Sequence, residues 1–275
     1  MNRTLLRTAL TLTGLLLAAP VLANERHFTL SYESATLPAG AVEIEPWTTL
    51  RMGRDQYYMG IDHRLEFEFG ITDRLMSALY LNFSSETARA GGSLGTSFES
   101  KGVSSEWKFK MSDAVADAIG SALYLELTAA PAEFEIEAKV LLDKRLGNWH
   151  VVGNLIYEHE WAHKTDDHAG YWNPEHKIGA TLGGTYFVTE HLTVGGEAFA
   201  QGIVEAEEKD GELELEHGAL FVGPVVGYAS RGWWMTASVT PQVVGFGEAL
   251  KATAASRDLE DFHAVQARVL LGVHL

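Results

Sequence analysis

Residues 61–83 read IDHRLEFEFGITDRLMSALYLNF, and this stretch decides the fold class. Apolar residues occupy alternate positions up to Phe69 and again from Leu75, with polar or charged residues between them. A repeat of two residues is the pattern of a β-strand with one apolar and one polar face. The glycine- and aspartate-containing connection at residues 70–74 predicts that the two strands pair as a hairpin.

Outward from this hairpin, the same alternation recurs through residues 41–275 and predicts about twelve strands. Transmembrane barrels join such strands by short periplasmic turns and longer outer loops in alternation, and an even strand number puts both termini on the periplasmic side. The segment near residues 218–228 is apolar on both faces, so its phase stays open. The predicted turns are 70–74, 146–148, 188–191 and 229–232, and the predicted long loops are 84–100, 163–174, 205–213 and 247–261.

A soluble β-sandwich or lipocalin-like barrel also alternates and is the competing architecture. Two features favour the membrane: charges recur on one face of strand after strand, and aromatic residues on the apolar face lie near strand ends. We therefore predict an all-β protein, a closed antiparallel transmembrane β-barrel of about twelve strands. The aromatic residues concerned are Trp107, Tyr157, Trp161, Tyr186, Tyr228 and Trp233.

The N-terminus has the features of a secretory signal peptide, with Arg3 and Arg7 before an apolar run and a small-residue cleavage pattern ending at Ala23. We expect residues 1–23 to be removed, 24–40 to form a short periplasmic segment, and 41–275 to form the barrel without a plug. The expected location is the outer membrane of a Gram-negative bacterium. The chain has no cysteine and a formal charge of -16, which excludes thiolate sites and argues against nucleic acid as a partner.

Three strand-turn-strand segments resemble hairpins of proteobacterial outer-membrane barrels: residues 65–75, 135–148 and 186–199. Together they are similar to an uncharacterised outer-membrane family, loosely similar to the outer-membrane proteins encoded with meta-pathway phenol degradation. The resemblance implies fold and compartment more than function. We expect outer-membrane lipid, lipopolysaccharide and the barrel-assembly machinery as partners. The chain departs from the usual terminal aromatic residue, which assists assembly, because it ends in Leu275.

The charged residues on the polar face are the main candidates for function, because they would project into the lumen. Acidic residues outnumber basic ones, and carboxylates around a pore favour cations. We expect a narrow channel or passive transporter for small solutes, while a salt-bridged, non-conducting barrel that acts through its outer loops stays open as an alternative. The lumen-facing candidates are Glu43, Glu45, Arg51, Asp62, Arg64, Glu66, Glu68, Glu106, Lys108, Lys110, Glu126, Glu135, Glu137, Lys139, Glu158, Glu160 and Glu197.

Residues 159–163, HEWAH, match the HExxH motif of zinc proteases, which requires a helix. The preceding residues predict a strand, where positions four apart are separated by ~13 Å and cannot share one zinc ion. We therefore expect no cofactor, and only weak metal candidates in His163, Asp167 and His168. A barrel enzyme that hydrolyses lipid stays open as the third class, with His63 and serines near Ser84 as the available side chains.

Overall fold

The computed structural model describes residues 25–90, 93–165, 170–206, 213–251 and 255–275, so the predicted signal peptide lies outside the described residues. Twelve antiparallel strands form a closed barrel in which each strand pairs with the next in sequence and β1 pairs with β12. This confirms the predicted fold class. The elements are β1 (Val42–Met52), β2 (Tyr58–Thr72), β3 (Leu75–Ala90), β4 (Ser93–Ser112), β5 (Gly120–Ala130), β6 (Glu133–Leu146), β7 (Trp149–Thr165), β8 (Gly170–Phe187), β9 (Leu192–Ala206), β10 (Leu213–Ser230), β11 (Trp233–Phe246), α1 (Glu248–Lys251) and β12 (Val265–His274).

The wall of the barrel is apolar outside and polar inside. Along β7, Leu155 on the outer face is 64% exposed, whereas its neighbour Asn154 on the inner face is buried. On β5, Leu125 faces outward beside the buried Glu126. A soluble barrel or sandwich would have the opposite distribution, so the competing architecture is excluded. No helix in the described ranges is long and apolar enough to cross a membrane.

The two ends of the barrel differ in their connections. At one end, here called the turn end, the strands are joined through residues 73–74, 113–119, 147–148, 188–191 and 231–232. At the other, the hairpin end, β3 and β4 stay paired as far as Ala90 and Ser93, and β7 and β8 as far as Thr165 and Gly170.

The prediction of long loops at 84–100 and 163–174 was therefore wrong. The described residues of these segments extend the strands, because their backbone groups continue to pair across the hairpins. Of the predicted loop at 205–213, the described ends belong to β9 and β10, and residues 207–212 lie outside the described residues. Residues 255–264 do form a loop, and it bends inward, since Phe262 and Asp258 are buried.

The strand whose phase the sequence left open is β10. Ala219, Phe221 and Val225 point into the lumen, and Val222 and Val226 point outward. Both faces are apolar because the inner face packs on chain that enters the barrel: Val225 packs with Phe28, and Phe221 packs with Phe262.

Candidate functional site

The lumen is filled at the turn end by residues 25–40, here called the plug segment. Its side chains Phe28 and Leu37 are fully buried inside the wall. The segment enters and leaves at the same end, since His27 packs on Phe187 (ring centroids 4.9 Å apart) and the Ala39 N–H donates to Asp73 Oδ1 (3.1 Å). The expectation of a periplasmic segment and an unplugged barrel was therefore wrong. A segment this short cannot form a hydrophobic core of its own. It can still fold inside the barrel, because side chains of the lumen wall form hydrogen bonds with its backbone N–H groups.

Glu197 on β9 makes the densest set of contacts with the plug segment. Its Oε1 accepts hydrogen bonds from the Thr29 N–H (3.1 Å) and hydroxyl (2.5 Å), and its Oε2 accepts from the N–H groups of Leu30 (2.9 Å) and Ser31 (3.3 Å). Both the carboxylate and these donors are buried. One wall side chain therefore satisfies three consecutive backbone N–H groups that would otherwise be unpaired inside the lumen.

Asn154 on β7 pairs with the next part of the plug segment. Its Oδ1 accepts from the Tyr32 N–H (2.7 Å), and its Nδ2 donates to the Tyr32 carbonyl (2.8 Å), so the amide imitates the backbone of a neighbouring strand. Gly183 provides the space for Phe28, because a Cβ at position 183 would lie 2.5 Å from the Phe28 ring. The wall is thus shaped and hydrogen-bonded to hold this particular segment.

Four buried carboxylates on β1 and β2, here called the acid cluster, face the start of the plug segment. The strand register places Glu43 opposite Glu68 and Glu45 opposite Glu66. Arg26 of the plug segment reaches Glu45 (3.8 Å) and lies over the ring of Tyr32 at 4.2 Å. The Arg26 guanidinium is the positively charged group that the plug segment places beside the carboxyl groups of the wall.

The Arg26 guanidinium keeps its charge in this setting. Burial alone would lower the pKa of Arg26, but the neighbouring Tyr32, Glu45 and Glu66 raise it above its ordinary value. The plug segment therefore carries a fixed positive charge into the acid cluster, in addition to its backbone hydrogen bonds.

Above the plug segment, charged side chains form ion pairs on the lumen wall. Arg64 on β2 forms an ion pair with Glu126 on β5, donates to Asn82 Oδ1 (2.9 Å) and stacks over Tyr80 at 4.4 Å. Lys139 contacts Glu137 (2.7 Å) and lies over the Tyr32 ring at 4.0 Å. These pairs narrow the lumen at the level of Tyr32.

Two adjoining cavities remain between these charges and the hairpin end. The inner cavity has a volume of 290 Å³ with Leu30 and Tyr32 as its floor, and the outer cavity has a volume of 510 Å³. They share part of their lining and therefore lie next to each other. The shared residues are Trp47, Thr49, Arg51, Asp62, Arg64 and Arg268.

The outer cavity carries a group of three carboxylates from neighbouring strands. One oxygen from each of Glu133, Glu135 and Glu160 lies within 4.8 Å of the others. Lys177 on β8 contacts Glu160 (2.8 Å) and Glu158 (2.6 Å) and partly neutralises the group. The wall of this cavity can therefore attract small cations and polar solutes.

The predicted lumen-facing charges lie on the inner side of the wall, at several levels between the turn end and the hairpin end. Glu43, Glu45, Glu66 and Glu68 form the acid cluster, with Glu106 and Lys108 buried in the same part of the lumen. Lys110 lies at the rim of the turn end, beside Asp113. The residues at the level of the inner cavity are Glu126, Glu137, Lys139 and Glu158. The outer cavity is lined by Arg51, Asp62, Arg64, Glu135 and Glu160. Glu197 binds the plug segment.

Sequence reasoning missed several residues that the structure brings to the lumen. Lys177, Glu133 and Arg268 line the cavities, and the alternation with outward Ile178, Phe134 and Val269 was the signal available for them. No periodic signal marked the plug segment, because its residues follow no strand pattern.

The HExxH segment lies on strand β7, as predicted, so its side chains alternate between the two faces. His159 Nδ1 lies 3.0 Å from His176 Nδ1, while Glu160 points into the lumen. Of the weak metal candidates, His163 packs on Trp172 (ring centroids 5.2 Å), and Asp167 and His168 lie outside the described residues.

Two of the side chains considered for a lipid hydrolase, Ser84 and His63, lie on opposite faces of the wall. Ser84 faces the lumen and donates to Asp62 Oδ1 (2.9 Å), whereas His63 contacts Thr48 on the outer face. The wall of the barrel separates the serine from the histidine.

Three solved barrels resemble this one. The COG4313 outer membrane channel from Pseudomonas putida F1 has a TM-score of 0.63 and 13% sequence identity, and the match covers 90% of this chain and 100% of that chain. The translocator domain of autotransporter NalP from Neisseria meningitidis has a TM-score of 0.57 and 10% identity, with 98% of this chain and 97% of that chain covered. The NanC porin has a TM-score of 0.50 and 10% identity, with 84% of this chain and 100% of that chain covered. At these identities the likeness shows the fold alone, and it confirms the predicted resemblance to outer-membrane barrels at that level. No curated protein matches the chain in sequence. A family model described as a family of unknown function (DUF6662) matches residues 20–275.

Proposed function

This chain belongs to the DUF6662 family, a family of unknown function, and we propose that it is an outer-membrane channel for small polar solutes, closed at rest by its own plug segment. Its apolar outer face suits lipid, and its charged inner face suits water. In this proposal the hairpin end faces outward and the turn end faces the periplasm, as short turns and long hairpins are arranged in barrels of known orientation.

The observation that carries the proposal is the pair of adjoining polar cavities above the plug segment. The outer cavity reaches the exposed side chains of Glu86 and Lys101 near the hairpin end, and the inner cavity ends on Leu30 and Tyr32. A barrel that served only as a rigid support would gain stability by filling this space with packed side chains. Volumes of 510 and 290 Å³ fit small solutes and exclude folded chains.

Passage requires the plug segment to move, and its contacts suit reversible release. Hydrogen bonds such as those from Leu30 and Ser31 to Glu197 can be replaced by hydrogen bonds to water once the segment leaves. The wall needs no change in strand pairing for this step. The plug segment is therefore the element that we propose opens and closes the channel.

The test is single-channel recording of the refolded full chain in a planar bilayer. We expect discrete, cation-selective current steps, because water and ions enter when the plug segment leaves. Heat-modifiable gel mobility establishes that the sample is folded. Silence from folded wild-type protein and from a variant with a weakened plug contact would contradict the channel and favour a barrel that acts through its hairpin end.

Charge neutralisation in the outer cavity should lower cation selectivity. Among the lumen-facing candidates, Glu66 and Glu68 belong to the acid cluster beside the plug segment and are not suited to this test. The sharper variant replaces Glu133, Glu135 and Glu160 by glutamine, which also leaves Lys177 less compensated.

We expect the cation-to-anion permeability ratio of this triple variant to fall by a factor of about five, equivalent to roughly 1 kcal/mol of Coulomb energy. Reversal potentials in a salt gradient measure the ratio. Glu99→Gln is the matched control, because Glu99 lies on the exposed part of β4 beside Lys101. Equal ratios in the triple variant and the wild type would contradict the role of these carboxylates.

The resemblance to outer-membrane proteins of phenol degradation favours solutes that carry an aromatic ring, and one feature of the inner cavity supports this. Phe221, Phe262 and Phe199 line one side of it, with the Phe221 and Phe262 ring centroids 6.4 Å apart. Lys139 and Arg268 lie on its lining as well. Small aromatic solutes should therefore block the ionic current more strongly than aliphatic solutes of equal charge and size.

A further inference from the structure

A second polar cluster lies where the plug segment meets the wall at the turn end. His27 and Glu33 belong to the plug segment, Asp143 to β6 and His150 to β7. Glu33 Oε1 lies 3.0 Å from His27 Nδ1 and 3.8 Å from His150 Nδ1, and His150 Nε2 lies 2.8 Å from Asp143 Oδ2. The histidine rings meet edge to face, with centroids 5.6 Å apart. None of these groups is used by the proposed channel.

The unusual member of this cluster is His150, which is only 6% exposed. A carboxylate accepts hydrogen bonds only, so the short contact with Asp143 places a proton on Nε2 of the ring. In the neutral ring, Nδ1 then presents a lone pair toward Glu33 Oε1, which is itself an acceptor. Nδ1 is buried and has no hydrogen-bond partner among the described residues, because 3.8 Å exceeds hydrogen-bond range.

We propose that His27, Glu33 and His150 form a binding site for a divalent transition-metal ion such as Zn²⁺, which joins the plug segment to the wall. Imidazole nitrogen and carboxylate oxygen are ordinary ligands of Zn²⁺. A metal-bound histidine commonly donates its second ring N–H to a carboxylate, which fixes the ring and strengthens the ligand. Asp143 holds that position beside His150.

The separations of the ligand atoms suit a single ion. Zn–N and Zn–O distances of about 2.0–2.2 Å place tetrahedral ligands about 3.4 Å apart. The observed separations of 3.0 and 3.8 Å bracket that value, and one ligand atom from each of the three residues lies within 4.8 Å of the others. Small side-chain rotations complete the geometry, and a water molecule can supply the fourth ligand.

The ion has a route of entry and a favourable charge. His27 retains 15% exposure and borders a small surface pocket together with Glu25 and Glu190. Glu33 and Asp143 bring two negative charges to the site. Two of the three ligands come from the plug segment and one from the wall, so bound metal would oppose release of the segment.

Metal binding is tested first on the refolded full chain, with Zn²⁺ or Co²⁺ as the only added ligand. After chelator treatment and dialysis, competition with a chromogenic chelator gives the stoichiometry and affinity for Zn²⁺, and Co²⁺ absorption reports coordination geometry. We expect one site per chain. His150→Gln and Glu33→Gln should each weaken it at least about 100-fold, and Asp143→Asn by about 10- to 100-fold.

Two matched variants separate this site from other histidines. His217 contacts Asp258 and Asp261 at the hairpin end, and His176 contacts His159 on the outer face. His217→Gln and His176→Gln should leave the tight site unchanged. No stoichiometric binding, or binding that survives both His150→Gln and Glu33→Gln in folded protein, would overturn the proposal. Because Glu33 belongs to the plug segment and not to a strand of the wall, we expect the barrel to assemble normally in the Glu33→Gln variant.

Whether bound metal holds the plug segment against the wall can be measured without recording ionic current through the barrel. Hydrogen exchange followed by mass spectrometry reports the backbone N–H groups of residues 25–40. Saturating Zn²⁺ should slow their exchange at least about tenfold in wild-type protein and leave it unchanged in His150→Gln. Equal exchange with and without bound Zn²⁺ would overturn the joining role. These results stand or fall separately from conductance, so failure of the channel and failure of the metal site are distinguishable.

Discussion

Replacement of Glu197 by alanine is expected to release the plug segment and to raise the mean conductance of the barrel at least tenfold. The carboxylate accepts three backbone N–H donors and one hydroxyl from residues 29–31. Each buried donor left without a partner costs about 1–3 kcal/mol, so their loss weakens plug binding by about 3 kcal/mol or more. Since about 1.4 kcal/mol is a factor of ten, the balance between bound and released segment shifts about 100-fold.

Two measurements check this expectation. Planar-bilayer recording measures the conductance, and hydrogen exchange of residues 25–40 measures release of the plug segment directly. Glu197→Gln should give an intermediate result, because the amide keeps one acceptor oxygen and turns its NH₂ group toward other donors.

Glu135→Gln is the matched control, because Glu135 lines the outer cavity without a plug contact. It should change selectivity without changing exchange in residues 25–40. Unchanged conductance and exchange in folded Glu197→Ala protein would show that the plug segment is held by other contacts.

The second large effect concerns stability. Arg64→Met leaves the Glu126 carboxylate, which is 2% exposed, without its ion-pair partner inside the wall. Tyr124 still donates to Glu126 Oε2 (2.6 Å), but a hydroxyl does not neutralise the charge. Removal of one partner of a buried ion pair costs about 3–5 kcal/mol, and we expect about 3 kcal/mol because Arg64 borders the cavity.

Denaturant unfolding of the refolded protein in detergent, followed by tryptophan fluorescence, measures this loss. The double variant Arg64→Met with Glu126→Leu should recover to within about 1 kcal/mol of the wild type, because no uncompensated charge remains. Arg74→Met at the exposed turn between β2 and β3 is the control and should leave the free energy of unfolding unchanged. A single Arg64→Met variant as stable as the wild type would contradict the importance of this pair.

The plug segment and the loop at residues 255–264 together account for the apolar inner face of β10. Val225 and Phe221 would be costly in a water-filled lumen, but they pack on Phe28 and Phe262. Those two side chains come from opposite ends of the chain. The polar lumen and the apolar patch are therefore parts of one arrangement, in which inserted chain covers the apolar region and charged side chains line what stays open.

The sequence by itself determined the closed β-barrel, because strand alternation is a local property with a period of two residues. It also placed Glu66, Glu126 and Glu197 on the inner face, since each is one residue removed from an outward apolar neighbour. The sequence-based prediction of a loop at residues 84–100 was wrong, because the polar composition of this segment resembles that of a loop. Backbone pairing between strands, which composition does not encode, makes residues 84–90 and 93–100 parts of strands.

Only the tertiary structure decided what the inner face does. Whether Glu197 lines open water or binds residues 29–31 depends on a contact between positions more than 160 residues apart, which no local pattern records. The meeting of His27 and Glu33 with His150 depends in the same way on how residues 25–40 fold back into the barrel. Period and charge specify a wall and its two faces, but closure of the barrel brings distant side chains together and thereby sets which charges pair, which bind the plug segment and which face the cavity.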